Sequence, residues 1–91
     1  MLSSKERASL RAKAHFLDPI VVIGKKGLTS GALESIRIGL ESHELIKIRF
    51  IEFKDSKESI INKILSKNEC LLVSIIGHVA ILYKPDNNTA K

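Results

Sequence analysis

A chain of 91 residues has room for one domain and one small core. With 44% hydrophobic residues but only 4% aromatic and no Trp, that core must be built from Ile, Leu and Val. The formal charge of +5 is uneven: residues 1–27 hold Lys5, Arg7, Arg11, Lys13, Lys25 and Lys26 against Glu6 and Asp18, whereas the remainder is nearly neutral. Such a pole attracts phosphate backbones, although a solvated basic face that aids solubility has the same composition. No apolar run reaches the length of a membrane span, and the N-terminal stretch is charged and lacks the apolar segment of a secretory leader. A cytoplasmic protein without membrane contact is expected.

The first element predicted is a helix capped by Ser3 or Ser4 and running to about His15, with Glu6 in its first turn. Leu10 and Ala14 would face the core, while Arg7, Arg11 and His15 form a basic stripe on its flank. Asp18-Pro19 ends it. The β-branched run Ile20-Val21-Val22-Ile23 then reads as a strand buried on both faces, as at the centre of an α/β sheet.

A second helix opens at Thr29 or Ser30 and runs to about His43, burying Leu33, Ile36 and Leu40, with Arg37 placed to pair with Glu34 or Glu41 on the wet side. Leu45 to Phe53 alternates as a strand, with one apolar face and one partly basic through Lys47 and Arg49. A third helix covers about Asp55 to Lys67, with Ile60, Ile61, Ile64 and Leu65 as its buried stripe and Asn68 as a left-handed terminator. Strands at Cys70–Ile76 and Val79–Lys84 form a hairpin around Gly77-His78, a pair suited to a type II′ turn. The order α-β-α-β-α-β-β defines an α/β sandwich with a four-stranded mixed sheet. One domain spans residues 1–85, followed by a polar tail at 86–91.

The chemistry concentrates in Gly24-Lys25-Lys26-Gly27, between a strand and a helix. Backbone amides approach a phosphate closely only where side chains leave the path open, and glycines at both ends of a turn clear it and permit positive φ. The helix mouth that follows adds unsatisfied N–H donors and partial positive charge. Two glycines required for turn geometry alone give the same pattern, but such a turn gains nothing from paired like charges. The loop has neither the Walker A form nor the G-x-G-x-x-G of dinucleotide folds, so a mononucleotide or NAD site is disfavoured and a backbone clamp for nucleic acid remains.

Several blocks together carry a family resemblance. They are Ala14-His15, Pro19 to Thr29 with the glycine loop inside, Leu40 to Ile48, Ile76-Gly77, and Leu82-Tyr83-Lys84-Pro85. In these the chain resembles the CRM domain family (chloroplast RNA splicing and ribosome maturation), in its stand-alone bacterial form, from about Ser3 to Pro85. The resemblance implies a fold like the C-terminal domain of bacterial translation initiation factor three. It implies RNA binding through the loop and neighbouring basic surface, on ribosomal RNA (rRNA) of large ribosomal subunit precursors, as a ribosome-biogenesis factor. Where the family often has Thr-Gly, this chain has Lys67-Asn68, which bears on how the third helix is capped.

The expected RNA-binding set is Gly24, Lys25, Lys26, Gly27, Arg7, Arg11, Lys13 and His15. His15 either approaches RNA or fixes the turn into Pro19. Tyr83 either stacks on a base or lies in the core with its hydroxyl at the rim, the core being favoured. His43 reads as a helix-end residue, and Cys70, in an apolar run, as a small buried one. Neither metal-ligand spacing nor a nucleophile–base pair is visible, so no enzyme activity, metal, cofactor or small-molecule substrate is expected, and the protein is expected to act as a monomer. The competing reading is a protein-interaction module that docks its basic patch on an acidic ribosomal or factor surface.

Overall fold

The computed structural model describes residues 2–51 and 57–85. The elements in chain order are α1 (Ser4–Ala14), β1 (Val21–Ile23), α2 (Ser30–His43), β2 (Leu45–Phe50), α3 (Lys57–Asn68), β3 (Leu71–Ile76) and β4 (Val79–Tyr83). The sheet order is β1-β2-β4-β3. β1 runs parallel to β2, whereas β2–β4 and β4–β3 are antiparallel, so the expected mixed sheet is present.

Alternation along the strands divides the core in two. Val21, Ile23, Ile46, Ile48, Phe50, Ala80 and Leu82 point to one face and are covered by Ile36 and Leu40 of α2 and Ile60, Ile61 and Ile64 of α3. On the other face Val73 and Ile81 pack with Ala14 of α1, and Leu2, Leu10, Leu45 and Tyr83 close around them. Tyr83 thus joins a core cluster, half-buried. Gly39 permits the close fit of α2 on the chain entering β1, since a Cβ there would collide with the Ile20 side chain.

Caps fix the helix starts. Ser3 and Glu6 form a reciprocal capping box at α1, and the Thr29 hydroxyl accepts from Ala32 N–H at 3.1 Å at α2. Arg37 bonds both Glu34 and Glu41 on the exposed side of α2. The hairpin turn has Gly77 at φ +59° and no positive φ at His78, as a type II′ turn requires.

Two expectations need correction. β1 is an edge strand rather than a central one, and Val22 is 54% exposed, because no helix covers that side of it. The run of β-branched residues reported strand propensity, which does not distinguish one buried face from two. The left-handed residue after α3 is Glu69 at φ +51°, not Asn68. Asn68 stays helical and buried, its side-chain amide donating to the Ile64 carbonyl at 3.2 Å. The expected strand end at Phe53, the cap at Asp55 or Ser56 and the tail 86–91 lie outside the described residues.

Candidate nucleic-acid interface

The glycine loop leaves the end of β1 and enters α2. Gly27 N–H donates to the Gly24 carbonyl at 3.0 Å, so Gly24-Lys25-Lys26-Gly27 is one closed turn with both lysines at its tip. Gly27 alone of the two glycines has positive φ, at +69°, while Gly24 keeps ordinary φ with open space around it. The second glycine is therefore needed for backbone conformation and the first leaves the approach unobstructed. Lys25 and Lys26 are exposed and, among the described residues, have no ion-pair partner. Their amides have no acceptor there either. The tip presents two free cations and two free donors beside a helix mouth, a suitable cradle for phosphate oxygens.

The basic first helix is not one continuous extension of that tip. The Arg7 guanidinium donates to the Leu72 and Val73 carbonyls at 2.6 and 2.7 Å, at the irregularity in β3 where Leu72 and Ser74 pair with successive residues of β4. Its charge is taken up by two carbonyls at a bulge. β3 and β1 are opposite edges of the sheet, and the Leu72 row lies four residues along β2 from the Ile23 row. Standard strand spacings then put the two sites about 20 Å apart. Arg7 thus has a structural role at the β3 edge, apart from the glycine turn. α1 crosses the sheet obliquely, since its last carbonyl, Ala14, accepts from Lys47 Nζ on β2 at 2.9 Å. Arg11, Lys13 and His15 are exposed, and His15 meets Phe16 edge-on at 5.4 Å. Lys47, on the partly basic face of β2, is half-buried and pins the end of α1.

Sequence reading missed a second wall. A groove of about 440 Å³ runs from Gly27 and Leu28 past Leu33 to Ser59, Ile60, Lys63 and Lys67 of α3. Lys63 and Lys67 stand one turn apart and have no ion-pair partner among the described residues. Their i, i+4 spacing was visible in the sequence, but only the tertiary packing sets them beside the loop. Elsewhere, among the described residues, no group of His, Cys, Asp and Glu is arranged to hold a metal ion, and no helix is long and apolar enough to cross a membrane. Cys70 is buried, and desolvation raises its thiol pKa to about 11, the opposite of an activated nucleophile.

Fold and loop together define a small α/β domain that displays a glycine turn at one end of its sheet. The CRS1 / YhbY (CRM) domain model matches residues 2–84, and this chain belongs to that family. It is 40% identical over 85 residues to a Haemophilus influenzae protein named RNA-binding protein, covering 92% of this chain and 86% of that one. It is 34% identical over 85 residues to Bacillus subtilis YqeI, covering 92% and 88%. The solution structure of Staphylococcus aureus SAV1595 superimposes with a TM-score of 0.80 at 32% identity, covering 94% of this chain and 91% of that one.

Proposed function

We propose that this protein binds RNA without chemical turnover, gripping the phosphate backbone with the Gly24–Gly27 turn. Its target is then rRNA in precursors of the large ribosomal subunit, where it acts in assembly as a cytoplasmic monomer. The carrying observation is the turn itself: Lys25 and Lys26 stand at its tip, at the mouth of α2, with no ion-pair partner and no acceptor for their amides among the described residues. Relatives named for RNA binding support the class of ligand. Lys63 and Lys67 flank the turn across the groove as further cations, while Arg11, Lys13 and His15 are exposed on and just after α1, whose end is held at the start of β1. Most of the affinity would come from phosphate contacts, with selectivity from RNA shape.

The test is binding to naked large-subunit rRNA fragments, together with crosslinking in cells followed by sequencing of the bound RNA. Tight binding to naked rRNA and crosslinks concentrated on precursor large-subunit RNA are expected. Crosslinks scattered over unrelated transcripts would remove the assembly role, and binding only to protein-bearing particles would favour a protein-docking module.

A further inference from the structure

Four residues stand in one row across the whole sheet, on the face that carries α1. Val22 of β1 pairs with Arg49 of β2, Arg49 with Val79 of β4, and Val79 with Ile76 of β3. α1 covers the adjoining rows, where Leu45, Tyr83, Val73 and Ile81 gather around Ala14 and Leu10, and stops short of this one. Val22 is 54% exposed and Ile76 58%, and Ile51, which follows Arg49 in the alternation of β2, is 56% exposed. Arg49 is exposed in the middle of the row and has neither hydrogen-bond nor ion-pair partner among the described residues. An apolar strip with a bare guanidinium at its centre marks a contact surface.

The corner beside it holds an exposed aromatic. Phe16 is 86% exposed and lies with His15 in the connection from α1 to β1. Lys47 holds both ends of that connection: its Nζ donates to the Ala14 carbonyl, and its carbonyl accepts from Ile20 N–H at 3.0 Å. Arg49 follows Lys47 by two residues on the same face, about 7 Å along the strand. Val22 precedes Gly24 of the loop by the same interval.

We infer that this row, with Phe16 and His15, receives unpaired bases of an RNA strand whose phosphates lie on the Gly24–Gly27 turn. The inference rests on the RNA-binding reading above and adds a preference for single-stranded segments. Bases stack on aromatic rings and on the guanidinium plane, and apolar side chains fill the space between them. The charge selects the occupant. A second copy docked through this face would bring two Arg49 side chains to one interface. An RNA strand neutralises them.

The experiment uses the full chain and two probes: a short RNA hairpin with an unpaired tail, and the same hairpin with its tail annealed to a complementary strand. Fluorescence anisotropy should show the unpaired-tail probe bound at least about tenfold more tightly by the wild type. Phe16→Ala combined with Arg49→Ala, both at exposed positions, should cut that preference below about threefold while affinity for the paired probe changes little. Arg49→Lys keeps the charge but not the plane, and should also reduce the preference. Equal binding of both probes by the wild type overturns this inference and leaves the RNA-binding reading standing, whereas no binding to either probe removes both. Retention of the preference in the double variant, its full retention in Arg49→Lys, or concentration-dependent dimers that the double variant abolishes would each overturn the proposal.

Discussion

Arg7 and the pair Lys25-Lys26 belong to the same basic N-terminal third of the chain, yet they occupy opposite corners of the sheet in opposite states. Arg7 is half-buried and satisfied by two strand carbonyls. The lysines project from a turn with no partner among the described residues. One cation holds the protein together and the others remain available to a ligand. Positive charge in a sequence is therefore not a map of a binding surface until the acceptors that claim it are known.

Mutation should separate the two corners. Lys25→Glu with Lys26→Glu has the largest expected effect on binding: RNA affinity falls at least about tenfold, and the slope of log affinity against log salt drops by about 1.4 for single-stranded RNA. The thermal midpoint should hold, since both side chains are exposed and neither has a hydrogen-bond or ion-pair partner among the described residues. Anisotropy titrations across salt concentrations check this, and an unchanged affinity in a folded variant would reject the loop's role.

Arg7→Ala should do the converse. It leaves two β3 carbonyls at the bulge without their charged donor and should cost about 2–3 kcal/mol of stability by urea denaturation. Its RNA affinity, measured where the variant is fully folded, should stay within about twofold of wild type, a change of under about 0.5 kcal/mol. A large loss of affinity at full folding would place Arg7 in the interface as well.

Gly27→Ala tests the turn's conformation apart from its charge. No atom obstructs a Cβ there, so the cost is backbone strain at φ +69°, about 1–2 kcal/mol. Weaker RNA binding with both lysines retained is expected, by less than in the double charge reversal.

The smallest effect concerns neither corner. Burial raises the Cys70 thiol from 9.0 to about 11. In the unfolded chain the thiol ionises near 9 while the folded one stays protonated, so its contribution is complete below that pH and is lost as pH rises through about 11. Denaturation midpoints from pH 8 to 11 should fall less in Cys70→Ala, after allowance for its lower starting stability. Thiol reagents should label the wild type slowly until denaturant is added.

The order and type of the elements were legible in the sequence because they depend on local signals. The 3.6-residue period of Leu33, Ile36 and Leu40, the serine cap at Ser3 or Ser4, and the Gly77-His78 turn each act within a few residues. The glycine loop was legible for the same reason. The edge position of β1 depended on which strands found partners, and its run of β-branched residues is compatible with either place.

By itself, then, the sequence determined three helices, four strands, their order, and a cationic glycine turn, since propensity, capping and periodicity are short-range. Only the tertiary structure decided which cations are free. It turned Arg7 into a bulge filler, drew Lys47 onto the end of α1, brought Lys63 and Lys67 beside Gly27, and left Arg49 bare in an open row. Those outcomes depend on carbonyls and neighbours tens of residues away, whose positions no local pattern encodes.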